Sequence, residues 1–226
     1  EEIYLECQKA EIEFSTSPYD YQAIDEVDEY VNFYKIGSGD ITWIDLIKYM
    51  DSKSKPLILA TGAASMDDVM RAVSIIPNDR LVLMQCNTNY TLEKNKHKFV
   101  NINVLNKYKE KFPNIVLGLS DHTLGHGSVL GSIAIGSRVI EKHFTDDNDR
   151  EGPDHKFALN PTTWRQMVDM GNEVFETLGD GVKKVEENEK NAFIVQRRSI
   201  TIKRSLTKGQ KIEEDTIEFL RPCPKN

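Results

Sequence analysis

Two histidines in the middle of the chain follow apolar, β-branched runs, at points where strands are expected to end. His122 and His143 flank the Gly- and Ala-rich segment 125–136, which is typical of a helix. A strand–helix–strand unit places its strands parallel and side by side, so both histidines should lie at the same edge of a sheet. There they could hold one divalent metal ion through imidazole nitrogens, with Asp121 and Glu141 beside them. The alternative is that each histidine caps its strand and bonds to a loop carbonyl.

A lysine interrupts another apolar run and is followed closely by a Gly-Ser-Gly sequence. Lys35 is expected to lie inside a strand, and a lysine is rarely buried without an anionic partner. The two glycines let backbone N–H groups and the Ser38 hydroxyl approach a phosphate or a carboxylate. We favour this anion site over the alternative, a lysine that snorkels beside a tight turn. The sequence contains neither a P-loop nor a dinucleotide-binding fingerprint.

Other polar side chains also fall where strands are predicted to end. Five hydroxyl groups could surround the anion, although each alone is an ordinary turn residue: Thr16, Ser17, Ser38, Thr61 and Ser120. Amide and phenol groups that suit a polar substrate such as a sugar follow the fourth apolar run: Asn87, Asn89 and Tyr90. The acidic segment 146–155 comes just after His143, and this position makes it a candidate lid.

The composition is that of a soluble globular protein. The 226 residues are 39% hydrophobic and 29% charged, and the net charge of −7 argues against nucleic acid as the main partner. No apolar run approaches the roughly 20 residues of a membrane span, and no signal-peptide pattern begins the chain. The distant cysteines, Cys7, Cys86 and Cys223, predict neither a disulfide framework nor a cysteine zinc site. We therefore expect a cytoplasmic protein.

The elements that would position these residues alternate regularly. Apolar runs occur at 11–14, 33–36, 57–60, 81–84, 115–117 and 139–140, and helical stretches at 21–30, 43–51, 66–74, 99–111, 126–135 and 161–177. Near-continuous apolar strands that alternate with helices predict an α/β fold with a parallel sheet buried on both faces. Six of the eight units of a (β/α)8 TIM-type barrel are visible. We therefore expect either an open sheet or a barrel fragment without its first two units.

The character of the sequence changes near residue 180. We predict a partial barrel over residues 1–180, a charged linker over 181–194 and the start of a small β-rich module over 195–226. Within the module, residues 197–202 alternate like a strand and residues 217–222 form a second strand. So short a module cannot form a hydrophobic core of its own, so we expect that the C-terminal end of the chain is cut. The acidic, helical start of the sequence suggests the same for the N-terminal end.

Several of these motifs occur together, and in the same order, in one known family. The chain resembles the N-acylneuraminate (sialic acid) synthase family in Ser-Pro-Tyr-Asp at 17–20, Tyr-Lys-Ile-Gly-Ser-Gly-Asp at 34–40, Gln-Cys-Asn at 85–87, Gly-Leu-Ser-Asp-His-Thr at 118–123, Glu-Lys-His-Phe-Thr at 141–145 and Gly-Pro-Asp at 152–154. Residues 197–200 and the Lys-Gly pair at 208–209 resemble the start of that family's antifreeze-like (SAF) domain. The resemblance covers nearly the whole chain.

The resemblance implies a (β/α)8 barrel that condenses phosphoenolpyruvate with an N-acylated mannosamine-type sugar. The products would be a nine-carbon 2-keto sugar acid and phosphate. His122 and His143 resemble the ligands of a divalent cation, Mn²⁺ or Mg²⁺, which would polarise the sugar aldehyde as a Lewis acid. The full-length protein would be a homodimer, with no nucleic-acid or membrane partner.

The resemblance also implies roles for eight residues around the substrates. On the phosphoenolpyruvate side it points to Lys35, Ser38 and Ser120, with the hydroxyl of either Thr16 or Ser17. On the sugar side it points to Asn87, Tyr90 and Asp154, the last of which resembles a residue that hydrogen-bonds the sugar hydroxyls. Lys35 and Asp154 are the candidate catalytic residues.

Three departures from the family pattern bear on activity. Ala60 stands where relatives often carry a phosphate-binding serine, nothing matches the family's essential N-terminal glutamate, and the SAF segment ends before the arginine that reaches a partner subunit's sugar site. We therefore predict that these 226 residues alone are inactive or nearly so. The alternatives are another phosphoenolpyruvate-condensing aldose synthase, a barrel that binds without catalysis, and an aldolase that uses Lys35 in a Schiff base.

Overall fold

Five parallel strands form the sheet of the larger part of the chain. The computed structural model describes residues 1–90 and 95–221, so Pro222 of the second predicted module strand and Cys223 lie outside the described residues. The strands are β1 (Tyr34–Ile36), β2 (Leu57–Ala60), β3 (Leu81–Cys86), β4 (Val116–Asp121) and β5 (Val139–Lys142). They pair in chain order, each parallel to the next. Doubly wound sheets reverse the strand order at a switch point, whereas a (β/α) barrel keeps the order of the chain.

The sheet is strongly curled. Lys35 on β1 and Glu141 on β5 belong to the outermost strands of this sheet, yet Nζ of the lysine lies 3.1 Å from Oε2 of the glutamate. Four inter-strand steps of about 4.8 Å would separate these strands by roughly 19 Å in a flat sheet, farther than the two side chains reach. The contact therefore requires the sheet to bend round on itself, as in part of a TIM-type barrel. The predicted fold class is confirmed.

Helices connect and cover the strands. They are α1 (Glu2–Lys9), α2 (Tyr21–Val27), α3 (Ile44–Ser52), α4 (Met66–Val73), α5 (His97–Val100), α6 (Val104–Lys111), α7 (Gly127–Ile135), α8 (Pro161–Thr177) and α9 (Lys190–Gln196). The ends of α8 are as predicted, because its local signals are strong. The Asn160 side chain accepts a hydrogen bond from Thr163 N, and Pro161 occupies the first turn, where no backbone donor is needed.

The run 11–14, predicted as the first strand, is not a strand in the structure. Glu11 adopts a left-handed conformation (φ 55°) immediately after α1. Beyond it, the chain passes β1 with few backbone bonds, one of them from Lys35 N to Thr16 O (3.2 Å). Isolated bonds do not make a ladder, so five of the six predicted strands form among the described residues. The segment nevertheless brings Thr16 next to Lys35.

Two other predicted elements differ from the structure. The helix predicted over 99–111 is divided into α5 and α6, because Asn101 adopts a left-handed conformation (φ 47°) that a helix cannot continue through. The charged segment 181–194, predicted as a linker, contains the 3₁₀ turn Glu187–Glu189 and the first part of α9. A solvated segment can still form a short helix when its charges lie on the exposed face.

Two clusters of buried apolar side chains hold the sheet and its helices together. The larger one joins β1–β4 to α2, α3, α4 and α6, and its fully buried members include Ile24, Leu46, Ile47, Leu57, Leu59, Leu83 and Leu105. The smaller one joins β4 to α7 and α8 through Leu119, Val129 and Met167. In β4, a Cβ on Gly118 would lie 2.7 Å from the carbonyl oxygen of Val139. Glycine therefore allows β5 to approach β4 closely.

The chain divides into two compact units, Glu1–Leu178 and Gly179–Asn226. In the second unit, β6 (Ser199–Ile202) pairs antiparallel with β7 (Ile217–Leu220). Both strands that the sequence predicts for this module are therefore present. Across the described parts of the chain, no helix combines the length and the apolar character that crossing a bilayer requires.

Candidate active site

The two histidines lie together at the carboxyl ends of β4 and β5, with ring centroids 5.1 Å apart. Nδ1 of His122 is 3.0 Å from the Asn87 carbonyl oxygen. Because a carbonyl can only accept, Nδ1 carries the proton and Nε2 keeps its lone pair. Burial, followed by the proximity of His143, lowers the pKa of the His122 imidazole, so the ring is neutral at pH 7. Neutral imidazole is the form that binds metals.

A carboxylate and two aromatic rings position the second histidine. Nδ1 of His143 is 3.4 Å from Oδ2 of Asp154, which favours the tautomer with the proton on Nδ1 and the lone pair on Nε2. The Phe157 ring packs 5.0 Å from the His143 ring, and the Tyr90 ring packs 4.4 Å from the His122 ring. Sequence reasoning missed Phe157, because an isolated aromatic residue in an acidic loop carries no periodic signal. The arrangement leaves a lone pair on each imidazole.

Asp121 is next to His122 in the sequence, but its side chain is engaged on the opposite face of the strand. Successive residues of a strand point to opposite faces, so Asp121 and Lys142 face away from His122 and His143. Oδ2 of Asp121 accepts a hydrogen bond from Nζ of Lys142 (2.7 Å), and both side chains are only 1% exposed. Thr123 donates to the same carboxylate from its backbone N and from Oγ1, 3.0 Å each.

Glu141 lies on the same face as the histidines, but it too is engaged elsewhere. Its Oε1 accepts a hydrogen bond from Ser120 Oγ (2.6 Å), and its Oε2 pairs with Lys35 Nζ (3.1 Å). Within residues 1–90 and 95–221, no three His, Cys, Asp or Glu side chains are arranged to hold a metal ion. Of the four groups named from the sequence, the pair His122 and His143 alone is left with free ligand atoms.

Lys35 forms the floor of a cavity of about 250 Å³ that also includes Thr16, Ser17 and Glu141. The lysine side chain is only 14% exposed, and its ammonium group is met by the carboxylate of Glu141. The cavity therefore combines a largely buried cation with hydroxyl groups, and its use as an anion site stays a prediction. The structure places both candidate hydroxyls, those of Thr16 and Ser17, in its lining.

Ser38 lies on the other side of Lys35 and belongs to a chain of small polar groups. Its Oγ accepts a hydrogen bond from Gly62 N (2.9 Å). Burial raises the pKa of the Cys86 thiol, and the nearby hydroxyls of Ser38 and Ser120 oppose the shift. The thiol sulfur also lies 3.9 Å from Nδ1 of His122. Cys86 thus lies near two of the predicted anion-binding serines, a position that sequence reasoning did not assign to it.

The predicted sugar-side residues surround the mouth of the site. Tyr90 is half exposed and lies against His122, while Asp154 is partly exposed beside His143. Oδ1 of Asn87 is buried and finds no donor among the described residues. Lys96, which sequence reasoning missed, is buried nearby, with Nζ 2.8 Å from the carbonyl oxygen of His122. Its irregular surroundings give no pattern that would have singled it out.

Parallel strands that pair in chain order and curl round define a partial (β/α) barrel. The polar side chains described above lie at the carboxyl ends of its strands, where barrels of this type carry their sites. The chain belongs to the NeuB family, whose pattern matches residues 1–183. It is 36% identical over 220 residues to the uncharacterized protein MJ1065 of Methanocaldococcus jannaschii, covering 96% of this chain and 64% of that protein. It is 31% identical over 228 residues to the N,N'-diacetyllegionaminic acid synthase of Campylobacter jejuni, covering 98% and 67%.

Solved structures agree with the fold. The N-acetylneuraminic acid synthetase of Leptospira borgpetersenii, in complex with citrate, superposes with a TM-score of 0.77 at 27% identity, covering 84% of this chain and 68% of that one. A truncated 3-deoxy-D-arabino-heptulosonate 7-phosphate synthase from Thermotoga maritima superposes with a TM-score of 0.68 at 18% identity, covering 78% and 71%, a likeness of fold alone. The chain spans 60% to 67% of the length of three curated relatives that it matches: MJ1065 and the N,N'-diacetyllegionaminic acid synthases of Campylobacter jejuni and Legionella pneumophila.

Proposed function

We propose that the chain forms most of the barrel of an N-acylneuraminate-type synthase. The reaction joins phosphoenolpyruvate to an N-acylmannosamine-type aldehyde and gives a nine-carbon 2-keto sugar acid and phosphate. One observation carries the proposal. A largely buried lysine, Lys35, pairs with Glu141 on β5, and the paired rings of His122 and His143 lie at the ends of β4 and β5. Membership of the NeuB family supports it. We further propose that the full-length protein is a cytoplasmic homodimer.

A divalent cation, Mn²⁺ or Mg²⁺, fits the two histidines. Both rings are oriented through Nδ1, by the Asn87 carbonyl and by Asp154, so both Nε2 atoms are free to bind it. Such ions accept a mixture of nitrogen and oxygen ligands, and the remaining positions would be filled by oxygen atoms. When bound, the cation would supply Lewis acidity towards the sugar aldehyde.

The cavity at Lys35 would bind phosphoenolpyruvate. Lys35 and the hydroxyls of Ser38 and Ser120 would hold its phosphate and carboxylate, and the hydroxyl of Thr16 or Ser17 would complete the set. In the reaction, the terminal methylene carbon of phosphoenolpyruvate forms a bond to the aldehyde carbon, and water adds to the neighbouring carbon, which carries the phosphate ester. The bond between that carbon and the phosphate oxygen then breaks, which leaves the keto group and releases phosphate. An ammonium group held beside a carboxylate suits this anion-binding role better than the Schiff-base chemistry of an aldolase.

The sugar would enter at the mouth of the site. Asp154 is half exposed, so one oxygen can accept a hydrogen bond from a sugar hydroxyl while the other orients His143. The half-exposed phenol of Tyr90 lies against His122 and would contact the sugar's polar groups. Oδ1 of Asn87 is buried without a donor, and a sugar hydroxyl or amide that reached it would supply one. These positions support Asp154, Tyr90 and Asn87 as the sugar-binding residues.

The metal assignment can be tested without turnover. Mn²⁺ binding by the 226-residue chain would be measured from the loss of the free-ion electron paramagnetic resonance signal. We expect one bound ion per chain, and His122→Ala or His143→Ala should weaken its binding at least about ten-fold, because each removes a ligand. His97→Ala, a histidine outside the pair, is the matched control and should bind as the wild type does. Equal affinity in all four proteins would refute the assignment.

The phosphoenolpyruvate site calls for a separate measurement. Isothermal calorimetry with phosphoenolpyruvate should give a dissociation constant for the wild type that rises at least about ten-fold in Lys35→Met, because the one buried cation of the cavity is lost. Lys109→Met removes an exposed lysine and is the matched control. If Lys35→Met bound phosphoenolpyruvate as tightly as this control, the cavity would not be the substrate site.

A further inference from the structure

The carboxylate of Glu141 sits inside the cavity assigned to the substrate anion. It accepts a hydrogen bond from Ser120 Oγ with one oxygen (2.6 Å) and pairs with Lys35 Nζ through the other (3.1 Å). Both partners are groups that the proposed function assigns to phosphoenolpyruvate. The glutamate therefore makes the two contacts that an incoming phosphate would need.

The two members of this ion pair differ in their access to solvent. The Lys35 side chain is 14% exposed, whereas that of Glu141 is 41% exposed. A largely enclosed ammonium group is costly without an anion, so some carboxylate or phosphate has to stay beside Lys35. Glu141 has no such constraint, because it can turn into water and remain solvated. The pair can therefore open by movement of the glutamate while the lysine stays in place.

We propose that Glu141 is a displaceable counter-ion that determines which anions the cavity accepts. This inference rests on the proposed function, because it concerns the same cavity. While the cavity is empty, Glu141 holds Lys35 and Ser120; when phosphoenolpyruvate binds, its phosphate replaces the carboxylate, which turns out to solvent. Two like-charged groups do not share one ammonium group favourably, so each bound anion must first displace the glutamate.

The need to displace an internal carboxylate sets a threshold of binding strength that an anion must exceed. Glu141 is tethered next to Lys35, so its effective concentration there is far higher than that of a free ligand. A free monoanion such as pyruvate offers Lys35 nothing that Glu141 does not already provide, and it competes poorly. A phosphate carries more charge and more acceptor oxygens, and it can satisfy Lys35 and Ser120 together. The cost of displacing Glu141 is the same for both anions, so Glu141 keeps the weaker ligand, pyruvate, out of the cavity at concentrations at which phosphoenolpyruvate still binds.

The test compares Glu141→Gln with Glu173→Gln, which removes an exposed glutamate of α8 and gives the same change in net charge. Calorimetry with phosphoenolpyruvate and with pyruvate should show that Glu141→Gln binds both anions more tightly, by about ten-fold, the change that follows from removing about 1.4 kcal/mol of competition. The ratio of the two dissociation constants should stay the same, because both anions displace the same carboxylate. Glu173→Gln should bind both anions as the wild type does.

Two further variants isolate the mechanism. Glu141→Ala, which removes the hydrogen-bonding group as well, should show the same gain if competition is the cause. The gain should vanish when Lys35→Met is added, because Glu141 acts through that lysine. Circular dichroism on each variant verifies that the helices persist, and the result is read from whichever Glu141 variant retains the fold.

Each outcome bears on the inference in a distinct way. If the wild type binds phosphoenolpyruvate in a Lys35-dependent manner but the Glu141 variants bind it no more tightly, the counter-ion role is refuted and the proposed function stands. If neither the wild type nor any variant binds phosphoenolpyruvate, the proposed function fails and the inference fails with it. A gain that survives Lys35→Met would also overturn the inference, because it would arise elsewhere.

Discussion

Replacing Lys142 by methionine should destabilise the protein more than any surface substitution. Its ammonium group and the carboxylate of Asp121 are each 1% exposed and 2.7 Å apart. Lys142 Nζ also donates to the backbone oxygen of Thr123, so the lysine ties the end of β5 to the loop after β4. Lys142→Met keeps the length of the side chain and removes only its charge and its donors. The carboxylate of Asp121 is then left buried with Thr123 alone.

The expected cost follows from this burial. Removing one partner of a buried ion pair costs about 3–5 kcal/mol, because the remaining charge cannot reach water. That is a large share of the roughly 5–15 kcal/mol by which a folded domain is usually stable. In the double variant Asp121→Asn/Lys142→Met no unpaired charge remains. It should therefore lose less than the sum of the single losses, by about 1–3 kcal/mol.

Urea unfolding followed by tryptophan fluorescence measures these losses. Both tryptophans, Trp43 and Trp164, lie in the unit Glu1–Leu178, so the signal reports on the unit that contains the ion pair. Lys109→Met, an exposed lysine, is the control and should change the free energy of unfolding by no more than about 0.5 kcal/mol. The reasoning is refuted if Lys142→Met unfolds at the same urea concentration as Lys109→Met. Strict additivity in the double variant would refute the coupling.

Two further predictions concern stability. Gly118→Ala should lower the free energy of unfolding in urea by about 1–3 kcal/mol, because the new Cβ would lie 2.7 Å from the Val139 carbonyl oxygen. That oxygen is a backbone atom and cannot move without separating β4 from β5. Gly127→Ala, where a Cβ meets nothing within 4 Å, is the matched control. The ion pair with Lys55 holds the pKa of the Asp28 carboxyl below its usual value of 3.8, so this group contributes stability above that pH which is lost as the pH falls further. Between about pH 6 and pH 3, the urea midpoint of Asp28→Asn should accordingly fall less than that of the wild type. Equal falls in the two proteins would show that the Asp28–Lys55 pair does not stabilise the fold.

Local sequence signals predicted the order of the elements and the edge of the sheet where the polar groups gather. An apolar run followed by Gly, Ser, Asn or His marks a strand and its end within a few residues, and α8 begins at Pro161, as the predicted stretch 161–177 does. The same kind of signal was misleading at 11–14. Whether an apolar segment becomes a strand depends on a neighbour that offers a ladder, and such a neighbour is not visible in the local pattern.

The pairing of charges around the site was harder to predict. The period of two along a strand implies that Asp121 and His122 face opposite sides, but it does not say which side holds a lysine. The contact between Lys35 and Glu141 joins β1 to β5, residues more than one hundred positions apart in the chain. It exists because the sheet curls, and curvature arises from the combined twist of all five strands. No short stretch of sequence contains that information.

At the ends of β4 and β5, successive side chains point to opposite faces, and the two faces carry different kinds of residue. One face carries Ser120, Glu141 and the two histidines that follow them, which are the groups that the proposed function assigns to ligands. On the other face, Asp121 and Lys142 form a buried pair that no ligand can reach. Because supporting and binding residues are neighbours in sequence, a change in the pair should move the histidines. We therefore expect folded Lys142→Met to bind Mn²⁺ more weakly than folded Lys109→Met, although neither lysine would contact the ion. Equal Mn²⁺ affinity in the two proteins would mean that the buried pair supports the fold without positioning the histidines.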